Sequence, residues 1–181
     1  HTMNWMPRVA ASVSCIRVPE LNGLPEGGGV AFGINSLAFF YALSNASIAT
    51  ITMDDGKGNA ISLGMLAALN AALDRAAADR AVVVLSGREG VFSAGFDLPV
   101  LRAGGSESIA MVRGGFELAE RVLSFPMPVI IACTGHAVAM GVFLLLSGDY
   151  RVGAAGSYKL TANEVAIGLT MPFAAVEILR Q

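Results

Sequence analysis

The sequence predicts an α/β fold, and three of its features support that prediction. From residue 48 onward, short apolar runs alternate with segments in which apolar residues recur every three or four positions. The first pattern is typical of β-strands and the second of amphipathic helices. Glycine-containing loops connect the runs to the helical segments. Strands that feed helices in this alternating order are characteristic of α/β proteins.

The first strand and the first helix are predicted close to the start of this pattern. Residues 48–53 carry β-branched side chains at every second position and stop at a turn signal, residues 54–56. Ser62 is expected to cap a helix, because its hydroxyl oxygen can accept a backbone N–H of the first turn. The apolar face of this helix contains Leu66, Leu69, Leu73 and Ala77. Residues 81–85 are wholly apolar, which suits a strand covered on both sides.

A second helix is predicted to begin at Ser106 or Ser108 and to end before Pro126. Glu117 and Arg121 are spaced to form an ion pair on its outer face. Its predicted apolar face contains Ile109, Val112, Phe116, Ala119 and Leu123.

The remaining elements are short. We expect strands at 129–133, 150–152 and 158–160, a buried helix at 141–146 and a helix after Pro172. Residues 149–151 are expected to form structural polar contacts between layers.

The composition has a low density of charge. Of the 181 residues, 54% are apolar and only 14% are charged, whereas about a quarter is usual. We therefore expect part of the apolar surface to be buried against other subunits. The net charge of −2 does not favour nucleic acid or an anionic membrane as a partner.

Two apolar stretches invite a membrane interpretation, but each has a better one. Residues 30–43 lie too far from the N-terminus for a signal peptide, and polar residues interrupt them. Residues 128–146 are long enough to span a bilayer, but Thr134, Gly135 and His136 interrupt them. The two cysteines, Cys15 and Cys133, form no disulfide framework. A reducing, cytoplasmic setting fits these observations.

Two loops are candidates for chemistry, because each joins a predicted buried strand to a helix. The first glycine loop comprises residues 87–98, and the second glycine loop comprises residues 135–141. A turn of this kind leaves backbone N–H groups unpaired at the start of a helix. Two such groups that converge on one point form an oxyanion hole. Ordinary tight turns would show the same spacing, and the spacing alone favours that alternative.

Four segments, taken together, resemble the crotonase (enoyl-CoA hydratase/isomerase) superfamily. They are residues 48–60, the Val-Phe-Ser-Ala-Gly-Phe-Asp-Leu run at 91–98, residues 126–149, and residues 163–168. The resemblance implies a spiral of ββα turns. It assigns residues 41–181 to an acyl-CoA-binding core and leaves residues 1–40 as an N-terminal extension of unclear role. Members of this family continue into C-terminal helices that this sequence lacks, so a truncated core that associates as a trimer or hexamer is expected.

The resemblance also implies the binding residues. The backbone N–H groups of Phe96 and Met140 would hold the thioester oxygen. The turn from Lys57 to Ala60 would form the CoA adenine pocket, together with the start of a helix at Asp97, Leu98 and Pro99. These CoA contacts would be made mainly by backbone atoms.

The catalytic acids depart from the family pattern. Hydratases of the family use two glutamates; here the first position holds Phe143 and the second holds Glu164. One carboxylate is enough to move a proton between carbons of a bound enolate. The resemblance therefore favours enoyl-CoA isomerisation in fatty-acid metabolism, with no metal or redox cofactor and with CoA as part of the substrate. Hydration of 2-enoyl-CoA and a non-catalytic acyl-CoA-binding subunit are the alternatives.

Three further features have structural interpretations that we favour over catalytic ones. His136 could act as an acid or base, but a histidine that stabilises the second glycine loop is the more common case. Asp97 is expected to cap the helix that follows it. The Gly114-Gly115 pair within the second helix is expected to permit close packing rather than to bind phosphate.

Overall fold

The computed structural model describes residues 10–16, 47–162, 164 and 170–180. Most of the predicted N-terminal extension therefore lies outside the described residues. So do Asn163 and residues 165–169, which belong to the last segment of the family resemblance.

The described residues contain eight strands in two sheets. The larger sheet has the strand order β1-β2-β3-β5-β7, in which only β1 is antiparallel to its neighbour. The smaller sheet has the order β4-β6-β8 and is parallel. The strands are β1 (Ala10–Ile16), β2 (Ile48–Asp54), β3 (Val82–Ser86), β4 (Gly90–Ser93), β5 (Val129–Cys133), β6 (Gly135–Val138), β7 (Tyr150–Gly153) and β8 (Leu160–Thr161).

Five helices are described. They are α1 (Leu63–Ala78), α2 (Leu98–Ala103), α3 (Gly105–Leu123), α4 (Met140–Leu146) and α5 (Phe173–Leu179). The order β3-β4-α2 and then β5-β6-α4 repeats a ββα unit. The α/β class and the ββα turns are therefore confirmed.

The second sheet is what the sequence patterns did not locate. Both glycine loops contain a strand, because β4 lies within residues 87–98 and β6 within residues 135–141. These strands have only four residues each, so their apolar alternation is too short to recognise. They pair with each other and set the two loops side by side.

Helix α1 begins as predicted. Ser62 accepts a hydrogen bond from the backbone N–H of Met65 at 3.2 Å. Its buried face contains Met65, Leu66, Leu69, Ala72, Leu73 and Ala76. The predicted face is confirmed except at Ala77, which is half-buried.

The predicted start of α3 is wrong, and its predicted apolar face is correct only in part: Ala119 is buried, and Val112 and Phe116 are half-buried. The helix begins at Gly105 without a side-chain cap, so neither predicted serine caps it. Ile109 is 70% exposed. The buried residues are Ser108, Met111, Gly115, Leu118, Ala119 and Val122. Two apolar stripes run along this helix one position apart, and only packing selects between them.

The predicted Glu117–Arg121 pair is also replaced by other partners. Glu117 pairs with Arg113 at 3.2 Å. Arg121 instead reaches α1, where it donates to the side chains of Asp74 and Asn70 at 2.5 and 2.7 Å. The second interaction joins two helices, which the sequence spacing within α3 could not indicate.

The polar contacts expected around residues 149–151 are present. Asp149 accepts the backbone N–H of Val129 at 2.7 Å, and Arg151 donates to the backbone oxygens of Leu146 and Gly148.

Cys133 is a buried free thiol. Among the helices of the described residues, none is long and apolar enough to cross a membrane.

Candidate functional site

The turn after β2 is organised by Asp55. Its carboxylate accepts the backbone N–H groups of Lys57 at 2.7 Å, Asn59 at 2.8 Å and Ala60 at 2.9 Å. Partial burial raises the pKa of the Asp55 carboxyl, but the backbone N–H donors outweigh it, and the net pKa lies below its ordinary value. Asp55 is therefore an anion that holds the turn closed.

These bonds limit which backbone atoms of the turn are free for a ligand. The N–H groups of Lys57 and Ala60 already have Asp55 as their acceptor. A CoA adenine would therefore have to meet other atoms of Lys57 and Ala60, such as carbonyl oxygens, rather than these donors.

The turn runs alongside the first glycine loop. Ala94 donates to the carbonyl of Gly58 and Ile61 donates to the carbonyl of Gly95, both at 2.8 Å. These bonds bring Lys57 and Ala60 next to the segment that contains Asp97, Leu98 and Pro99. Asp97 caps α2 by accepting the Val100 N–H at 3.4 Å, as predicted, and Leu98 is 50% exposed.

A buried hydrogen-bond chain links the turn to the first glycine loop. The Asn59 amide donates to the carbonyl of Phe92 at 3.2 Å. The Ser93 hydroxyl donates to the carbonyl of Asn59 at 2.8 Å and accepts the Gly95 N–H at 3.2 Å. Both side chains are fully buried, at 0% exposure. Gly95, the residue before Phe96, is thus held at its N–H by Ser93 and at its carbonyl oxygen by Ile61.

The backbone of Phe96 faces away from this turn. Ile61 donates to Gly95, and Asp97 donates back to Ile61 at 3.4 Å, which forms a parallel bridge centred on Phe96. In such a bridge the N–H and C=O of the central residue point to the opposite side. Among the described residues, none accepts a hydrogen bond from the N–H of Phe96 or of Met140.

The two glycine loops pack against each other through their glycines. A Cβ atom on Gly95 would lie 2.8 Å from the carbonyl oxygen of Val138 and 3.3 Å from the nitrogen of Met140. A Cβ atom on Gly141 would lie 2.6 Å from the carbonyl oxygen of Ser93. Both contacts are possible only without a side chain. They place residues 96 and 140 on adjoining backbone segments.

The second glycine loop is strained where it enters α4. Ala139 has φ 49° and ψ −124°, a region that glycine adopts readily and alanine does not. Strain of this kind is concentrated at functional positions. It sets the direction of the next peptide, whose N–H belongs to Met140.

The aromatic rings of Phe96, Phe116 and Phe143 pack in a row. The Phe96 and Phe116 rings meet edge to face, with their centroids 6.4 Å apart. The centroids of the Phe116 and Phe143 rings are 6.0 Å apart. Phe143 is 1% exposed. The position that would hold the first family glutamate is therefore filled by a buried ring.

Glu164 has one buried carboxylate oxygen. Its Oε2 atom is buried and has no hydrogen-bond partner among the described residues. It follows β8, whose Thr161 carbonyl accepts the Ala139 N–H at 2.8 Å. Buried polar atoms without a partner are uncommon in folded proteins, which makes Glu164 a candidate for a functional role.

Comparison with known proteins identifies the family. The model of the enoyl-CoA hydratase/isomerase family matches residues 44–181. The chain belongs to the enoyl-CoA hydratase/isomerase family. It is 32% identical over 136 residues to a probable enoyl-CoA hydratase of Bacillus subtilis, covering 73% of this chain and 52% of that protein. The chain thus spans about half the length of this curated relative.

Solved structures of similar proteins carry both activities in their names. A probable enoyl-CoA hydratase from Mycobacterium tuberculosis is 57% identical, with a TM-score of 0.71, over 74% of this chain and 57% of that one. A second structure of the same Mycobacterium tuberculosis protein is described as an enoyl-CoA isomerase; it is 57% identical to this chain, with a TM-score of 0.70, over 74% of this chain and 58% of that one. The names agree on the enoyl-CoA hydratase/isomerase family and not on the reaction.

His136 has a structural role in the fold. Its Nδ1 atom accepts the backbone N–H of Lys159 at 2.8 Å. Its ring packs edge-on against Tyr158 at 5.4 Å. These contacts fasten β6 to the segment before β8, in agreement with the loop-stabilising interpretation.

Three residues that shape the site, Asp55, Asn59 and Ser93, are not among the site residues named from the sequence. Asp55 belongs to the turn signal at residues 54–56, and Asn59 lies within the turn from Lys57 to Ala60 that the family resemblance assigns to the CoA adenine pocket. A signal did exist, because an aspartate followed by several backbone donors in a turn commonly accepts them. For Ser93, the bond from the Gly95 N–H is a local turn contact, but the bond to the Asn59 carbonyl joins segments 34 residues apart and leaves no local signal.

Proposed function

We propose that the chain forms an enoyl-CoA isomerase site in which Glu164 moves a proton and the N–H groups of Phe96 and Met140 hold the thioester oxygen. The observation that carries this proposal is the buried Oε2 atom of Glu164, which has no hydrogen-bond partner among the described residues, combined with a phenylalanine at the other acid position. CoA would lie along the turn at Lys57 and Ala60 and against the start of α2.

The proposed chemistry needs only one carboxylate. Glu164 takes a proton from the α-carbon of a 3-enoyl-CoA, and the electron pair delocalises onto the thioester oxygen. The two N–H groups stabilise the resulting dienolate, as in other oxyanion holes. The protonated Glu164 then returns the proton to the γ-carbon, which yields 2-enoyl-CoA. No atom is gained or lost in this cycle.

Phe143 favours isomerisation over hydration. Hydration requires a water molecule that is held and deprotonated beside the double bond. Phe143 is buried against Phe116 and offers no hydrogen-bonding group at that position. A hydratase activity, which names of relatives suggest, would have to depend on Glu164 alone.

The first test replaces the proposed acid. Glu164→Gln keeps the shape of the side chain and removes its titrating group. We expect turnover of 3-enoyl-CoA to fall by about 10²–10⁴-fold, with acyl-CoA affinity nearly unchanged in a calorimetric titration. Glu120→Gln, on the outer surface of α3, is the matched control. Turnover that survives Glu164→Gln would remove Glu164 from the mechanism.

The second test separates the alternatives. The ratio of isomerase to hydratase turnover should exceed one in the unmodified chain, and a much faster hydration of 2-enoyl-CoA would reverse the assignment. Deuterium exchange at the α-carbon of a saturated acyl-CoA tests for any catalysis. A protein that binds acyl-CoA but shows no exchange above the Glu164→Gln background would be a binding subunit.

Self-association belongs to the same proposal. Tyr150, Val152 and Leu160 are each more than half exposed, which is costly for a free monomer. We expect a trimer or hexamer by light scattering at micromolar concentration. A stable monomer with full turnover would contradict this part.

A further inference from the structure

Helix α3 carries two adjacent glycines in its middle, Gly114 and Gly115. Alanine is a much better helix former than glycine at an interior position. Two glycines here weaken the helix, so their presence requires a packing reason. The two positions differ in what a side chain would meet.

Gly114 is closed only by a flexible group. A Cβ atom there would lie 3.0 Å from the terminal Cδ1 methyl of Leu66 and meets no other atom within 4 Å. A small rotation of the Leu66 side chain would remove that contact. Gly114 therefore tolerates a methyl group at little cost.

The space next to Gly115 is occupied by the side chains of Phe96 and Met140, whose backbone N–H groups form the proposed oxyanion hole. A Cβ atom there would lie 2.5 Å from Cε1 and 2.6 Å from Cζ of the Phe96 ring, and 3.5 Å from the sulfur of Met140. Both proposed donors thus place their side chains against the same glycine. The contact is buried.

The Phe96 ring has little freedom to yield. It is rigid, and Phe116 meets it edge-on, with Phe143 behind Phe116. Behind the Phe96 backbone, Ile61 is bonded to both neighbours of Phe96. Pushing the ring away from α3 therefore shifts the peptide that carries the Phe96 N–H.

From these contacts we infer that Gly115 is a positioning residue for the oxyanion hole: its missing side chain sets the depth of the Phe96 ring, and so the position of the Phe96 N–H donor beside that of Met140. The inference rests on the proposed function. Oxyanion donors must lie about 3 Å from the charge that develops, so a displacement of half an ångström lowers the rate while leaving CoA binding intact.

The test compares Gly115→Ala with Gly114→Ala. Both changes add one methyl group and the same helix propensity. We expect kcat on 3-enoyl-CoA to fall by about 10–100-fold in Gly115→Ala, below the loss of a whole donor, with KM changed less than about threefold. Gly114→Ala should stay within about twofold of the unmodified chain.

A spectroscopic measurement separates positioning from a general loss of packing. Butyryl-CoA with a carbon-13-labelled carbonyl is bound to each protein, and the infrared shift of the thioester carbonyl is recorded. The unmodified chain and Gly114→Ala should show the same shift to lower frequency, and Gly115→Ala a smaller one. If the folded Gly115→Ala keeps the full shift and the full kcat, the inference is wrong.

A double variant covers the case in which Gly115→Ala does not fold. Leucine lacks the Cε1 and Cζ atoms that meet the new methyl group, so Gly115→Ala/Phe96→Leu should fold and regain part of the carbonyl shift. Its shift should equal that of Gly114→Ala/Phe96→Leu, because without the ring a methyl group at position 115 has nothing to displace. If Gly115→Ala/Phe96→Leu folds but shows a clearly smaller shift than Gly114→Ala/Phe96→Leu, Gly115 does not act through the ring. An unmodified chain that binds butyryl-CoA without any carbonyl shift would overturn the proposed oxyanion hole and the inference with it.

Discussion

The two glycine loops have the same place in successive ββα units, but different forces hold them. The first is fixed by buried polar side chains, since Asn59 and Ser93 bond to its backbone. The second is fixed by strand pairing, through Ala137 with Lys159 and Ala139 with Thr161, and it carries a strained residue. A backbone donor can thus be positioned either by local side-chain chemistry or by the sheet that contains it.

A substitution at the contact between the two glycine loops should cause the largest loss of stability. Gly95→Ala introduces strain at φ +88° and a clash with the Val138 carbonyl. The two effects together should lower the free energy of unfolding by about 3 kcal/mol or more. Urea denaturation measures the loss. Gly90→Ala is the control, since Gly90 has φ +79° but no atom within 4 Å, and it should cost only about 1–2 kcal/mol. Equal losses would show that the loops do not press on each other.

The hydrogen bonds of the first glycine loop should rank second. Ser93→Ala leaves the Asn59 carbonyl and the Gly95 N–H without their buried partner, at a cost of about 1–3 kcal/mol. Ser147→Ala is a matched control, because its buried hydroxyl bonds only to the Phe143 carbonyl of its own helix. The denaturation midpoint of Ser93→Ala should lie clearly below that of Ser147→Ala. The reverse order would contradict the assigned role of the buried chain.

The strain in the second glycine loop predicts a stabilising substitution. Ala139→Gly relieves the unfavourable φ of +49°, worth about 1–2 kcal/mol, and costs up to about 1 kcal/mol of chain entropy. We expect a net gain of about 0.5 kcal/mol in the free energy of unfolding, or a small rise in Tm. A clear loss of stability would mean that the packing of the Ala139 methyl group contributes more free energy than the backbone strain costs.

The smallest expected effect is the contribution of Asp55 to the loss of stability at low pH. The pKa of Asp55 is lowered in the folded state because backbone donors outweigh the effect of burial. Its contribution to stability is therefore complete above the unfolded pKa of about 3.9 and is lost as the pH falls through the lower folded value. Asp55→Asn should lessen the fall in stability between pH 5 and 3, measured by thermal melts. Asp54→Asn is the control, because Asp54 accepts only the Gly56 N–H.

The sequence predicted the elements with the strongest periodicity and the segments with the strongest motifs. The strands of the larger sheet after residue 48 and the α1 cap follow from local patterns, because each depends on neighbours in the chain. The offset face of α3 and the partners of Arg121 did not follow, because a helix with two possible stripes is oriented only by what it packs against.

For the candidate site, the sequence by itself determined which residues to consider: Phe96 and Met140 through their loops, Glu164 through its segment, and Phe143 as the departure from the family pattern. Only the tertiary structure decided how they are held. The pairing of β4 with β6 brings the glycine loops together, and the buried carbonyls that Ser93 and Asn59 satisfy come from distant segments. Contacts between segments far apart in the chain leave no periodic trace in it, so close backbone packing and its glycines acquire their meaning only in the folded protein.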